Sequence, residues 1–167
     1  LGSHDGRNAH LVEQVIAKTH IVFVSAWAAD PTLSQAFVPW YFNVVPNNIQ
    51  QTNLLINEIV NLPDVKKVAT ISDNEYDSES AKKSFVNALK TANSIFPVQL
   101  SYDDTNLNCE NLVNQIMNSK TDAVVLFGRA SSSQKIIEMM QQKKAKQKIF
   151  GAMSILGEAP GNHFDLR

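Results

Sequence analysis

Val68-Ala69-Thr70-Ile71-Ser72-Asp73-Asn74-Glu75-Tyr76 passes from an apolar strand into a polar loop with a tyrosine at its tip. In an open parallel sheet, ligands gather outside the carboxyl ends of the strands, so this loop is the first place to look for function. By itself the segment is also compatible with a strand-to-helix turn whose tyrosine only packs.

Working outward, strands and helices alternate. His10 to Lys18 has helical apolar spacing, His20 to Trp27 is a compact apolar run, and Asp30-Pro31 breaks the regularity. Trp40 to Val45 is a second short apolar run, closed by Pro46-Asn47-Asn48. Ile49 to Leu62 is spaced for a helix with one buried face. Strands are expected at Lys67 to Ser72, Val98 to Tyr102, Ala123 to Phe127 and Lys148 to Met153. Helices are expected at Ser78 to Ala92, Cys109 to Ser119 and Ser132 to Lys143. Strands joined by helical crossovers run parallel, so the expected fold is α/β, a doubly wound parallel sheet with helices on both faces. Caps are expected from Asp77-Ser78-Glu79-Ser80, from Asn108 with Glu110, and from Ser131-Ser132-Ser133 after Gly128.

Composition narrows the function classes. The chain has 167 residues, 44% of them hydrophobic, enough for one good core or two small ones. Fifteen basic residues against sixteen acidic ones leave a net charge of -1, which gives no electrostatic footprint for nucleic acid. The one basic run, Lys143, Lys144, Lys146 and Lys148, is explained by the end of a helix. A single cysteine, Cys109, permits no intrachain disulfide and no cysteine metal cluster. There is no stretch of roughly 20 apolar residues to span a membrane, and no leader in the sequence shown.

Motifs for catalysis are missing. Neither dinucleotide nor phosphate loops, a nucleophile elbow, nor a zinc helix motif occurs, and the histidines match no standard ligand spacing. No metal, cofactor or turnover is expected. Asp73 at a strand end could serve as a phosphoacceptor in a flavodoxin-like or receiver-like domain, but the late-strand lysine of that chemistry is replaced by Gly128-Arg129.

Taken in series, S-A-W-A-A-D-P-T-L-S from Ser25, Y-F-N-V-V-P-N from Tyr41, V-A-T-I-S-D-N-E-Y from Val68 and A-V-V-L-F-G-R-A from Ala123 resemble the type I periplasmic binding proteins, in their branched-chain amino-acid branch. The resemblance runs from about Gly2 to about Gly157. It implies two α/β lobes holding a ligand between them, with residues 1–39 a partial first lobe and crossover, 40–155 the second lobe, and 156–167 a hinge or tail. It further implies an extracytoplasmic solute-binding protein, periplasmic or extracellular, that delivers a small amino acid or organic acid to the membrane permease of an ABC importer. A sensory domain of the same fold is the alternative.

Carried onto this chain, the family's site falls on Ser3 or Asp5 for the solute's carboxylate, and on Ala28 and Ala29, where a family threonine is lost. Tyr76 matches the site tyrosine, with Asp77 in place of the following glycine. Arg129 falls where leucine binders present an aromatic residue; facing the cleft it favours an anionic solute, and otherwise it pairs with Asp73, Asp77 or another carboxylate. The family's acidic acceptor for an ammonium has no clean counterpart, Met153 and Ser154 being nearest and Glu158 later. The segment from His10 to Trp27 lacks its family sheet neighbours, so it is expected to pack on the second lobe, to belong to a longer chain, or to pair with a second copy in a dimer.

Overall fold

Two runs of uninterrupted burial, Val68–Asp73 and Ala123–Phe127, organise one half of the computed structural model. The structure describes residues 2, 5–34, 38–93 and 97–156. The chain divides into two units, the first of residues 1–63 and 75–96, the second of residues 64–74 and 97–167.

In the first unit, helix α1 (Gly6–Thr19) opens on Asp5, whose carboxylate accepts the Asn8 amide at 2.7 Å. It closes on His20, which adopts the left-handed conformation at φ 55°. Strand β1 (Phe23–Ser25) pairs in parallel with β2 (Tyr41–Asn43), Val24 opposite Phe42. The predicted strand from His20 to Trp27 is thus shortened to three residues. Ile21 and Val22, 63% and 60% exposed, precede it without joining the ladder. Helix α2 (Asn48–Val60) starts with a reciprocal capping box between Asn47 and Gln50, and packs on α3 (Tyr76–Asn93). The small core of Ala9, Ala28 and Leu33 sits under Tyr41.

The expected cap of α3 is corrected. The helix begins at Tyr76, so Asp77 lies inside its first turn and its carboxylate accepts the distant Gly6 amide at 2.9 and 3.1 Å. An acidic first turn complements the helix dipole, which is why the sequence reads as a start even though the start lies two residues earlier.

In the second unit, β3 (Val68–Asp73), β4 (Val98–Tyr102), β5 (Ala123–Phe127) and β6 (Lys148–Gly151) form one parallel sheet in the order β4-β3-β5-β6. The two continuously buried runs take the centre, where strands are covered on both faces. β4, with three of its five residues exposed, is an edge. Ala69, Ile71, Val124 and Leu126 share one core with Leu112, Val113 and Ile116 of α4 (Cys109–Asn118) and with Ile136 and Met140 of α5 (Ala130–Gln142). Asn108 caps α4 as expected, its side chain accepting the Asn111 amide at 2.9 Å. The serine cap of α5 is not formed: the N-cap is Arg129, which makes no side-chain cap bond, and Ser132 and Ser133 lie buried within the helix.

At the foot of this sheet, Asp122 Oδ2 accepts the Lys66 and Lys67 amides at 2.9 and 2.8 Å, tying the entry of β3 to that of β5. Those two bonds hold the Asp122 carboxyl below its ordinary range. A carboxyl depressed by folding stabilises above its unfolded value and loses that contribution as pH falls through the folded one. Asp122→Asn is therefore expected to lower stability at neutral pH and to narrow its gap to wild type below about pH 4 in acid unfolding followed by circular dichroism. A gap that stays constant down to about pH 2 would count against this role for Asp122.

Candidate functional site

Loop residues at the carboxyl end of β1 meet the start of α3 within the first unit. Asp30 is buried, 2% exposed, and lies just beyond the turn that follows β1. Its Oδ1 accepts the Thr32 amide at 2.9 Å and the Thr32 hydroxyl at 2.7 Å. Its Oδ2 accepts the Tyr76 hydroxyl at 2.9 Å and lies 3.3 Å from His10 Nε2. Burial works to raise the Asp30 carboxyl, but the bonds from Thr32, Tyr76 and His10 outweigh it and hold it below the ordinary range.

Tyr76 itself is 42% exposed. The bond to Asp30, then burial and the Asp30 and Asp77 charges, push its phenol up. The Arg7 guanidinium stands 5.6 Å from the ring centroid, a cation–π distance. Asp77 carries a raised carboxyl because burial and the neighbouring Asp5, Asp30 and Glu75 charges outweigh its bond to Gly6. Gly6 permits that approach: a Cβ there would stand 2.6 Å from Asp77 Oδ1.

The other sequence candidates divide between the two units. Asp5 is the α1 N-cap, and its second oxygen accepts Asn8 Nδ2 at 2.6 Å. Ala28 and Ala29 stand beside Asp30 in the chain, and both carbonyls are engaged, accepting from Asn43 Nδ2 at 2.8 Å and from the Asn48 amide at 2.7 Å. Ser3 and Glu158 lie outside the described residues. Met153 and Ser154 fall in a short 3-10 turn after β6.

Arg129 belongs to the second unit, where strand ends also gather polar groups. Asp73, fully buried at the end of β3, accepts the Arg129 amide at 3.0 Å. The guanidinium of Arg129 is 60% exposed and 4.0 Å from Asp104 Oδ2, whose other oxygen accepts the Ser132 hydroxyl. Two carboxylates thus divide Arg129, Asp73 taking the backbone and Asp104 the side chain. Tyr102 closes the arrangement under Gly128, and burial with the Asp73 and Asp104 charges pushes its phenol up. Among the described residues, no three His, Cys, Asp or Glu side chains gather to hold a metal ion.

Asp30 and His10 were missed in the sequence. Asp-Pro-Thr does signal a turn in which an aspartate bonds two residues ahead, as Asp30 does to Thr32. Nothing local announces the bond to Tyr76, 46 positions away.

Parallel sheets flanked by helices, with polar side chains collected at strand ends, define the α/β class of open parallel sheets. Residues 1–152 match the family described as the receptor family ligand binding region, and the chain belongs to that family. No curated protein matches the chain. Among solved structures it is similar to a solute binding protein of an ABC transporter from Rhodopseudomonas palustris BisB5 in complex with 3,4-dihydroxybenzoic acid. That match has a TM-score of 0.73 and 15% identity, covering 91% of this chain and 42% of the other. A protein described as a putative branched-chain amino acid ABC transporter from Rhodospirillum rubrum gives 0.71 and 15%, over 95% and 45%. An ABC transporter substrate-binding protein from Desulfitobacterium hafniense gives 0.70 and 12%, over 90% and 45%. The chain spans less than half the length of each of these proteins.

Proposed function

We propose that this chain is part of an extracytoplasmic solute-binding protein, periplasmic or extracellular, that captures a small polar solute for the permease of an ABC importer. The observation that carries the reading is Tyr76: a half-exposed aromatic ring, flanked by a cation and pinned by a buried carboxylate that follows Ala28 and Ala29 in the chain. A partly apolar wall with a few fixed polar groups is what small-molecule sites are made of. The family and the solute-binding proteins of similar fold support the class, and their named ligands suggest amino acids and aromatic carboxylates as first probes. In this reading Ser3 or Asp5 is the candidate for the solute's carboxylate, and Arg129 is a further candidate for an anionic group. Asp73, the carboxylate that a receiver-like reading would use, is fully buried and accepts the Arg129 amide.

A thermal-shift screen of amino acids and simple carboxylates, 3,4-dihydroxybenzoate included, tests the proposal. A solute at a hundred times its dissociation constant stabilises by about 2.7 kcal/mol, a rise of roughly 5 to 10 °C for a chain of this size. Calorimetry with the solute found should show Tyr76→Ala weakening binding about tenfold or more. Arg129→Ala, removing an exposed cation, should cost about 0 to 1 kcal/mol. A screen with no shift, or a solute whose affinity ignores Tyr76, would remove the assignment.

A further inference from the structure

We propose that Asp30 is the positioning residue for Tyr76: its buried carboxylate takes the phenol's only hydrogen, so that a solute meets the open side of the ring and an oxygen that can only accept. The inference rests on the reading of Tyr76 as a solute contact and adds how that contact is aimed.

Three observations carry it. Asp30 is anchored independently of Tyr76, because Thr32 gives both its amide and its hydroxyl to Oδ1. His10 Nε2 stands against Oδ2 at 3.3 Å and against the Thr32 hydroxyl at 3.0 Å. The carboxylate is therefore fixed before the tyrosine arrives, which is what a positioning group requires. A charge-assisted bond of 2.9 Å then joins Tyr76 to it. A phenol has one hydrogen, so once it is given to Asp30 the hydroxyl retains acceptor capacity alone. Arg7 holds its place at the ring. What Tyr76 has left for a solute is apolar ring surface and a lone pair, which suits a group that donates a hydrogen bond, a hydroxyl or an ammonium, better than a carboxylate.

The test reads Tyr76 directly. Tyrosinate absorbance followed against pH in wild type and Tyr76→Phe gives the Tyr76 curve by difference, and the same subtraction in an Asp30→Asn background shows what Asp30 does to it. The Tyr76 midpoint is expected to lie above that of an ordinary phenol and to move down when Asp30 loses its charge. Raman spectroscopy on wild type and Tyr76→Phe alone provides the second readout, in which the tyrosine doublet assigned by difference to Tyr76 should report a strong hydrogen-bond donor. That measurement stands even where Asp30→Asn fails to fold. An unmoved midpoint, or a doublet of an acceptor or a balanced phenol, overturns the proposal. Neither readout needs a solute. A chain that binds nothing in the screen still shows whether Asp30 holds the phenol, and a chain that binds its solute with Tyr76 unmoved by Asp30 loses this inference alone.

Discussion

Replacing Leu126 by alanine is expected to remove about 2 to 5 kcal/mol of stability and to lower the melting temperature by roughly 5 to 15 °C. Leu126 is 1% exposed in the central strand β5 and shares its core with Ile71 of β3 and with Ile136 and Met140 of α5. These neighbours sit on elements already fixed by their own ladders and helices, and cannot collapse into the space left by the missing carbons. Urea unfolding of the variant, with slope compared to wild type, measures the loss. A cost under about 1 kcal/mol would show that this core is looser than its burial implies.

The second large effect is expected at Gly128. A Cβ there would stand 2.4 Å from the Tyr102 hydroxyl, 3.4 Å from Asp73 Oδ2 and 3.5 Å from Ser133 Oγ. The phenol cannot swing aside cheaply, because Tyr102 is 8% exposed and its side chain belongs to the main core. Gly128→Val should therefore cost about 1 to 3 kcal/mol through overpacking. Gly128→Ala combined with Tyr102→Phe, which deletes the oxygen in the way, should recover most of the loss of Gly128→Ala alone. Additive costs in that pair, measured by chemical unfolding, would mean that the hydroxyl is not the obstacle.

How much of this was legible in the sequence depends on where each signal resides. Val98–Tyr102, which alternates apolar and polar residues after Pro97, and Ala123–Phe127, an apolar run closed by Gly128, are readable to the residue because length and flanking turn residues favour a strand in each. His20 to Trp27 is also a compact apolar run but has only three residues in a ladder: strand length is set by the partner, and β2 offers just Tyr41–Asn43. The starts of α3 and α5 are misplaced by the sequence for a shared reason. Asp77 and Ser132 are the residue types that cap helices, yet their side chains are spent on long-range partners, Gly6 and Asp104. For the candidate site, Tyr76 and Arg129 stand out from their place after strands. Asp30 escapes because its importance is a tertiary contact, and a single sequence carries no trace of which distant tyrosine an aspartate will meet.

The strand order β4-β3-β5-β6 also imposes a schedule on synthesis. β3 is the first strand of its sheet to leave the ribosome, yet it is paired on both sides, and Val68 finds its partner in Ala123 only after a long stretch of intervening chain has followed. At a translation rate of roughly 5 to 20 residues per second, this fully buried strand waits several seconds with no sheet neighbour on that side. During that interval its apolar residues lack the cover that the finished sheet gives them, and a slowing of translation between β3 and β5 is expected to lower the yield of folded protein.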